Sequence, residues 1–118
     1  MKKINIIKEN YEFDNIIHSS RYIKNDLYII YYKEAKEKYY RFGISVGKKF
    51  SLKAVIRNKY KRSIKSIIDN NKYFYSKNKD YIIILKRGCL ESTYQQMEES
   101  FINIMKQIDN KGDRNEKK

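Results

Sequence analysis

One cysteine, one histidine, no tryptophan and no proline occur in 118 residues, and the four glycines are scattered. A lone cysteine, Cys89, rules out an internal disulfide and any zinc site built on cysteines, and it fits a reducing cytoplasm. A lone histidine, His18, rules out a histidine pair for acid–base chemistry. Without clustered Gly, Ser or Pro there is no flexible linker and no glycine-rich phosphate loop. No apolar run approaches the ~20 residues of a membrane helix. The opening MKKINIIKEN carries lysines but neither an adequate apolar stretch nor a small-residue cleavage site, so no signal peptide is expected. What remains is the expectation of a soluble, cytoplasmic, single-domain chain with room for one modest core.

Acid is the other scarcity. Against 27 Lys and Arg stand 14 Asp and Glu, a formal charge of +13 at pH 7. Net charge says little about fold, but an excess of this size argues for a polyanionic partner. The wealth of Ile, Lys, Asn and Tyr is what AT-rich coding tends to give. Such bias does not explain the imbalance, because the same codon pool also serves Asn and Asp. Asp14, Asp69 and Asp80 fall in different expected elements, without the D-x-D or E-x-x-H spacing that gathers a metal. Neither a catalytic constellation nor a metal-ligand set is expected from the protein chain itself.

The apolar share is 41%, and 12 Tyr and 5 Phe contribute to it. Over residues 8–19, Tyr11, Phe13, Ile16 and Ile17 recur at helical spacing, with His18 expected as a C-terminal cap. YIIYY at 28–32 is β-branched and aromatic and predicts a strand, followed by a charged turn over 33–38. Next, Tyr40, Phe42, Ile44 and Val46 alternate with Arg41, Gly43 and Ser45, which predicts a half-buried strand of an antiparallel pair. A helix follows over 53–69. YIIIL at 81–85 is apolar throughout and predicts a central strand. After a turn at KRGC, Ser92 with Gln95 forms a capping-box pattern. Tyr94, Met97, Phe101, Ile104 and Ile108 then make the apolar stripe of a last helix. The domain is expected over 1–108, with a polar, frayed tail over 109–118. This order predicts a small α+β sandwich with helices packed on one sheet.

The helix over 53–69 is the most informative stretch. At ~100° per residue, Ile56, Tyr60, Ile64 and Ile67 fall on one side. Arg57, Asn58, Lys61, Arg62 and Lys65 fall on the other. No acid occurs between Lys53 and Ile68, although like charges at i and i+4 repel by a few tenths of a kcal/mol per pair. A merely solvated face would intersperse Glu or Asp. A phosphate backbone would favour the arrangement instead, with the guanidinium forks of Arg57 and Arg62 on phosphate oxygens and Asn58 able to donate and accept.

FGISVGKK followed by KAVIRNKYKRSIK closely resembles the bacterial ribonuclease P protein subunit, in which a strand ending in a lysine pair leads to a helix with an Arg-Asn motif. NYEFDNII resembles the first helix of that family, LYIIYY its following strand, and DYIIILKRGCLESTYQQMEESF its last strand and helix. The resemblance covers 10–108. It implies an α/β sandwich similar to the second domain of ribosomal protein S5, with three helices and a left-handed strand–helix–strand crossover.

The resemblance also implies a function. The protein would be the non-catalytic part of a ribonucleoprotein endonuclease, whose RNA subunit holds the magnesium ions and removes the 5′ leader of precursor tRNA. Its partners would be ribonuclease P RNA and precursor tRNA, the protein being a monomer that binds the RNA one to one. Carried over by position, Arg57, Asn58, Lys61, Arg62 and Lys65, helped by Lys48, Lys49 and Lys53, would contact the RNA subunit. Phe13, Ile17 and Tyr31 would line the leader cleft, where unpaired bases stack. Tyr11, Phe13 and Tyr31 each have a plain core alternative. Lys59 stands where the family motif commonly has Arg, and Ile17 where an aromatic is common. Two rivals are a general RNA-binding or ribosome-associated module and a helix-turn-helix DNA binder; the strand patterns count against the second.

Overall fold

The strand with no polar face organises the molecule. In the computed structural model, which describes residues 5–7, 10–35, 38–72, 75 and 78–117 (side chains except at 10–12 and 109–117), the chain is one mixed α+β domain. Its elements are α1 (Asn10–Ser19), β1 (Arg21–Lys24), β2 (Tyr28–Glu34), β3 (Arg41–Ser45), α2 (Ala54–Asn70), β4 (Lys79–Leu85), a 3₁₀ turn (Arg87–Glu91) and α3 (Tyr94–Lys117). The sheet order is β1-β2-β4-β3. β4 therefore lies inside, and its side chains serve two cores. Tyr81, Ile83 and Leu85 enter the larger one beneath α2 and α3, while Ile82 enters a smaller one with Ile7 and Ile16. A strand covered on both faces has no reason to alternate.

The larger core holds Tyr28, Ile30, Phe42, Ile64, Ile67, Phe101 and Ile104, all fully buried. Phe42 stacks on Tyr81 with centroids 4.7 Å apart and planes 15° apart. The Tyr28 hydroxyl donates to the carbonyl of Met97 at 3.0 Å, which gives this buried polar atom its partner on α3.

β3 pairs with β4 in parallel, Phe42 opposite Tyr81 and Ile44 opposite Ile83, which corrects the antiparallel expectation. Alternation reports that one face is more polar than the other and is blind to strand direction. The parallel pair needs a crossover, and α2 supplies it. The outer edge of β3 is partly closed by the N-terminal segment, where the Ile7 amide donates to the Phe42 carbonyl at 2.9 Å.

Other expectations shift locally. β1 was not expected at all; it is four residues long, and only Ile23 is buried. It forms a hairpin with β2 through Asn25, whose Oδ1 accepts the amides of Leu27 and Tyr28, both at 2.9 Å. β2 runs on through Lys33 and Glu34, into the stretch expected to turn; Lys36 and Glu37 lie outside the described residues, as does the side chain of Tyr11. The capping box is one residue later than expected. The Thr93 amide donates to Gln96 Oε1 at 2.9 Å and the Gln96 amide to Thr93 Oγ1 at 3.1 Å, while Ser92 bonds back to the Gly88 carbonyl. Both frames satisfy the same pattern, and the 3₁₀ turn claims the serine. The α3 backbone is helical to Lys117, through the stretch expected to fray.

Gly88 packs against the β1–β2 turn so closely that a Cβ would lie 2.5 Å from the Asp26 carbonyl oxygen. Gly88→Ala is therefore expected to cost about 1–3 kcal/mol of stability. Urea unfolding would show it as a lower midpoint with an unchanged slope.

Candidate nucleic-acid interface

α2 divides as its periodicity requires. Ile64, Ile67 and Ile68 are fully buried, Ile56 and Tyr60 half-buried against the same core. Asn58, Arg62 and Lys65 are exposed on the opposite side, with Arg57 and Lys61 half-buried at its margin. The first turn holds no acid, and Lys53 sits at the N-cap position with no side-chain cap bond. Asn71 closes the other end, its Nδ2 donating to the Ile67 carbonyl at 2.7 Å. The helix thus presents a ridge of cations whose mutual repulsion is opposed by the packing of its apolar stripe.

Lys48, Lys49 and Lys53 are all exposed on the loop that leads into α2. Arg57 also acts on this loop: its Nη1 donates to the Ser51 carbonyl at 2.8 Å. One of five N–H donors is thereby committed, and the remainder of the fork is held in a fixed direction. Lys59 Nζ lies 5.9 Å from the centroid of the Tyr60 ring. Leu52 and Val55, 83% and 79% exposed, are apolar residues on the same shoulder with no part in the core. Beside them is a groove of about 420 Å³, with Lys48, Lys49 and Lys53 on one side and Arg87 of the 3₁₀ turn on the other. Arg87 is a cation that sequence reasoning missed. KRGC reads only as a turn, and its approach to the loop is tertiary.

The second surface lies across the sheet. Phe13, Ile17 and Tyr31 are half-buried around the small core of Ile7, Ile16 and Ile82. They come together, and each has both a packed and an accessible part. Gly43 makes room for Phe13: a Cβ there would lie 2.6 Å from the ring's Cζ. On the same face Arg41 and Asp80 form a bidentate pair, Nε to Oδ1 and Nη2 to Oδ2, both 2.9 Å, with side chains 14% and 4% exposed. Lys33 Nζ donates to Ser19 Oγ at 3.1 Å and stays partly exposed. The cationic ridge and this half-exposed aromatic patch therefore occupy opposite faces of one sheet, an arrangement that no local pattern encodes.

The reactive residue types are placed structurally. Cys89 is fully buried, and burial pushes its thiol up to about 11; its Sγ donates to the Leu27 carbonyl at 3.3 Å. A protonated, enclosed thiol is not a nucleophile at neutral pH. His18 is exposed in the last turn of α1, but the hydroxyls of Ser19 and Ser20 make the hydrogen bonds to the terminal carbonyls of Asn15 and Ile16, a correction to the expected cap. Among the described residues, no three His, Cys, Asp or Glu side chains come together as a metal site.

Comparison with known proteins agrees over most of the chain. A family model for ribonuclease P matches residues 1–109. The ribonuclease P protein component of Mycoplasma capricolum subsp. capricolum is 42% identical over 109 residues, 92% of this chain and 99% of that protein. That of Bacillus cereus is 36% identical over 107 residues, 90% of this chain and 92% of that protein. The ribonuclease P protein of Staphylococcus aureus superposes with a TM-score of 0.79 at 31% identity, covering 86% of this chain and 93% of that one. The Thermotoga maritima protein does so with a TM-score of 0.78 at 26% identity, covering 86% and 94%.

The Gly43–Phe13 contact can be tested alone. Gly43→Ala is expected to push the ring off the sheet and destabilise the fold by about 1–3 kcal/mol. Chemical denaturation measures the loss, and aromatic NMR shifts at Phe13 report the displacement.

Proposed function

The chain belongs to the ribonuclease P protein family, and from that premise we propose that it holds the catalytic RNA with the α2 ridge and the 5′ leader of precursor tRNA in the α1 cleft. The observation that carries this reading is the outer face of α2. Arg57, Asn58, Lys61, Arg62 and Lys65 line it, with no acid in the first turn and Lys48, Lys49 and Lys53 continuing it onto the loop. The aromatic cleft supports the second half: half-exposed Phe13 and Tyr31 offer π-faces to unpaired bases, and Ile17 offers apolar contact.

The physical contribution follows from charge. Catalytic RNA and substrate are both polyanions, and a bridge of net charge +13 lowers the cost of their approach. In this reading the magnesium ions and the chemistry belong to the RNA. The protein acts through positioning and electrostatics. One protein per RNA, a monomer when alone and the cytoplasm as compartment complete the proposal, as does a domain over 1–108 with α3 reaching beyond it. Among the described residues no helix is long and apolar enough to cross a membrane.

Two outcomes are expected. At low magnesium, the protein should strongly stimulate cleavage of a 5′-extended precursor tRNA by the catalytic RNA and cut nothing by itself. A folded protein that gave no stimulation would leave only a basic RNA-binding module. If about six phosphates are neutralised, affinity for the RNA should fall with a log–log salt slope near −4 to −5. Arg62→Ala, at an exposed site, should reduce that slope by about 1 without loss of stability. Arg57→Ala should do the same and also loosen the Ser51 loop. Wild-type slopes in both would remove the ridge assignment.

A further inference from the structure

β1 is the outer strand of the sheet, and its one buried residue, Ile23, points into the larger core. By alternation Tyr22 and Lys24 face the other way, toward the side that carries α1. Tyr22 is 53% exposed there. Its ring centroid lies 5.5 Å from that of Tyr31, with planes inclined at 47°. The two tyrosines are direct partners in the β1–β2 register. Tyr31 is in turn opposite Ile82, and Ile82 opposite Gly43, over which Phe13 lies. One row thus crosses all four strands, about 14 Å at three strand spacings, and it is aromatic at both ends.

The charge around the outer end is favourable. Lys24 is exposed one row to one side of the tyrosine pair, and Lys33 lies one row to the other. The arginine sharing the Lys33 row, Arg41, is paired with Asp80, whereas Lys24 and Lys33, the latter bonded to the Ser19 hydroxyl, place positive charge beside Tyr22 and Tyr31. Two adjacent rings bracketed by lysines match the requirements of single-stranded RNA: a π-face for each base and a cation for the backbone between them. A tyrosine placed only for packing would bury its ring, whereas Tyr22 leaves more than half of its surface to solvent.

We propose that Tyr22 is a second stacking station for the leader, carrying the bound strand past Tyr31 to the β1 edge, with Lys24 and Lys33 holding its phosphates. The proposal rests on the leader-cleft reading above and lengthens the site that reading describes. It makes affinity depend on leader length: nucleotides beyond those held by Phe13, Ile17 and Tyr31 still add binding because Tyr22 receives one of them.

The test uses holoenzyme assembled from the full chain and the catalytic RNA, with precursor tRNAs whose leaders lengthen by single nucleotides. Kd is measured for the wild-type protein and for Tyr22→Ala, Tyr22→Phe and Tyr31→Ala. Tyr22→Ala should match wild type on the shortest leaders and on mature tRNA, then fall behind by at least about fivefold on long ones. Tyr22→Phe, which keeps the ring, should follow wild type throughout. If Tyr22→Ala tracks wild type at every length while Tyr31→Ala loses long-leader affinity, the β1 station is overturned and the cleft stands. If Tyr31→Ala is also independent of leader, the cleft reading falls and takes Tyr22 with it. An equal loss for Tyr22→Ala on mature tRNA would assign the tyrosine to general stability and overturn the proposal as well.

Discussion

Burial of β4 on both faces is the constraint from which the rest of the structure follows. Tyr81, Ile83 and Leu85 require α2 and α3 on one side, and Ile82 requires α1 on the other. A small sheet with only one covered face would leave part of this apolar strand in water, at roughly 25 cal/mol for each Å². The two-sided solution also shapes the surface. It gives a chain of 118 residues two unlike surfaces, a cationic ridge outside α2 and a half-exposed aromatic patch beside α1, with the sheet between them.

The ridge is bought with local instability. Five polar positions of α2 carry cations or an amide, and no acid in its first turn relieves them. What keeps the helix formed is tertiary: Ile64, Ile67 and Ile68 in the core, and Phe50 against Tyr60 at 5.1 Å. Asn71 and Tyr94 fasten its far half to α3, through Glu98 and Ser66. A helix held in this way has its backbone fixed by the fold itself, so a ligand on its outer face, as proposed above, would not bear the cost of ordering that backbone. The Arg57–Ser51 clasp extends the same logic to the loop.

The legibility of the sequence followed the range of the interaction. The two faces of α2 were readable because a 3.6-residue period is local, whereas Phe13, Ile17 and Tyr31 were named on the family resemblance alone, and the fold brings them together around the small core. β1 was missed because Arg21–Lys24 buries a single residue, although Asn25-Asp26 between RYIK and LYIIYY was an available hairpin signal. The direction of β3 was misread because alternation carries no polarity of chain. Arg87 joined the groove through the fold alone, and the Ser92 and Thr93 frames could not be separated without the 3₁₀ turn. β1 aside, each miss concerns a contact between elements that are distant in sequence or a choice between equivalent local patterns.

The parallel pairing of β3 and β4 also determines what lies beneath Phe13. Arg41 and Asp80 are 39 residues apart, yet they are register partners and share two hydrogen bonds. A slip of one residue would turn Gly43 away from Phe13 and separate the buried charges, so this ion pair acts as a key to a single alignment. The whole of α2 lies between the two strands, so their pairing closes a long segment of chain before its contacts reward the loop-closure cost. The hairpin of β1 and β2 involves far shorter separations. The floor beneath Phe13 thus rests on pairings 39 residues or more apart in sequence, Gly43 with Ile82 and Ile82 with Tyr31, and on no local contact.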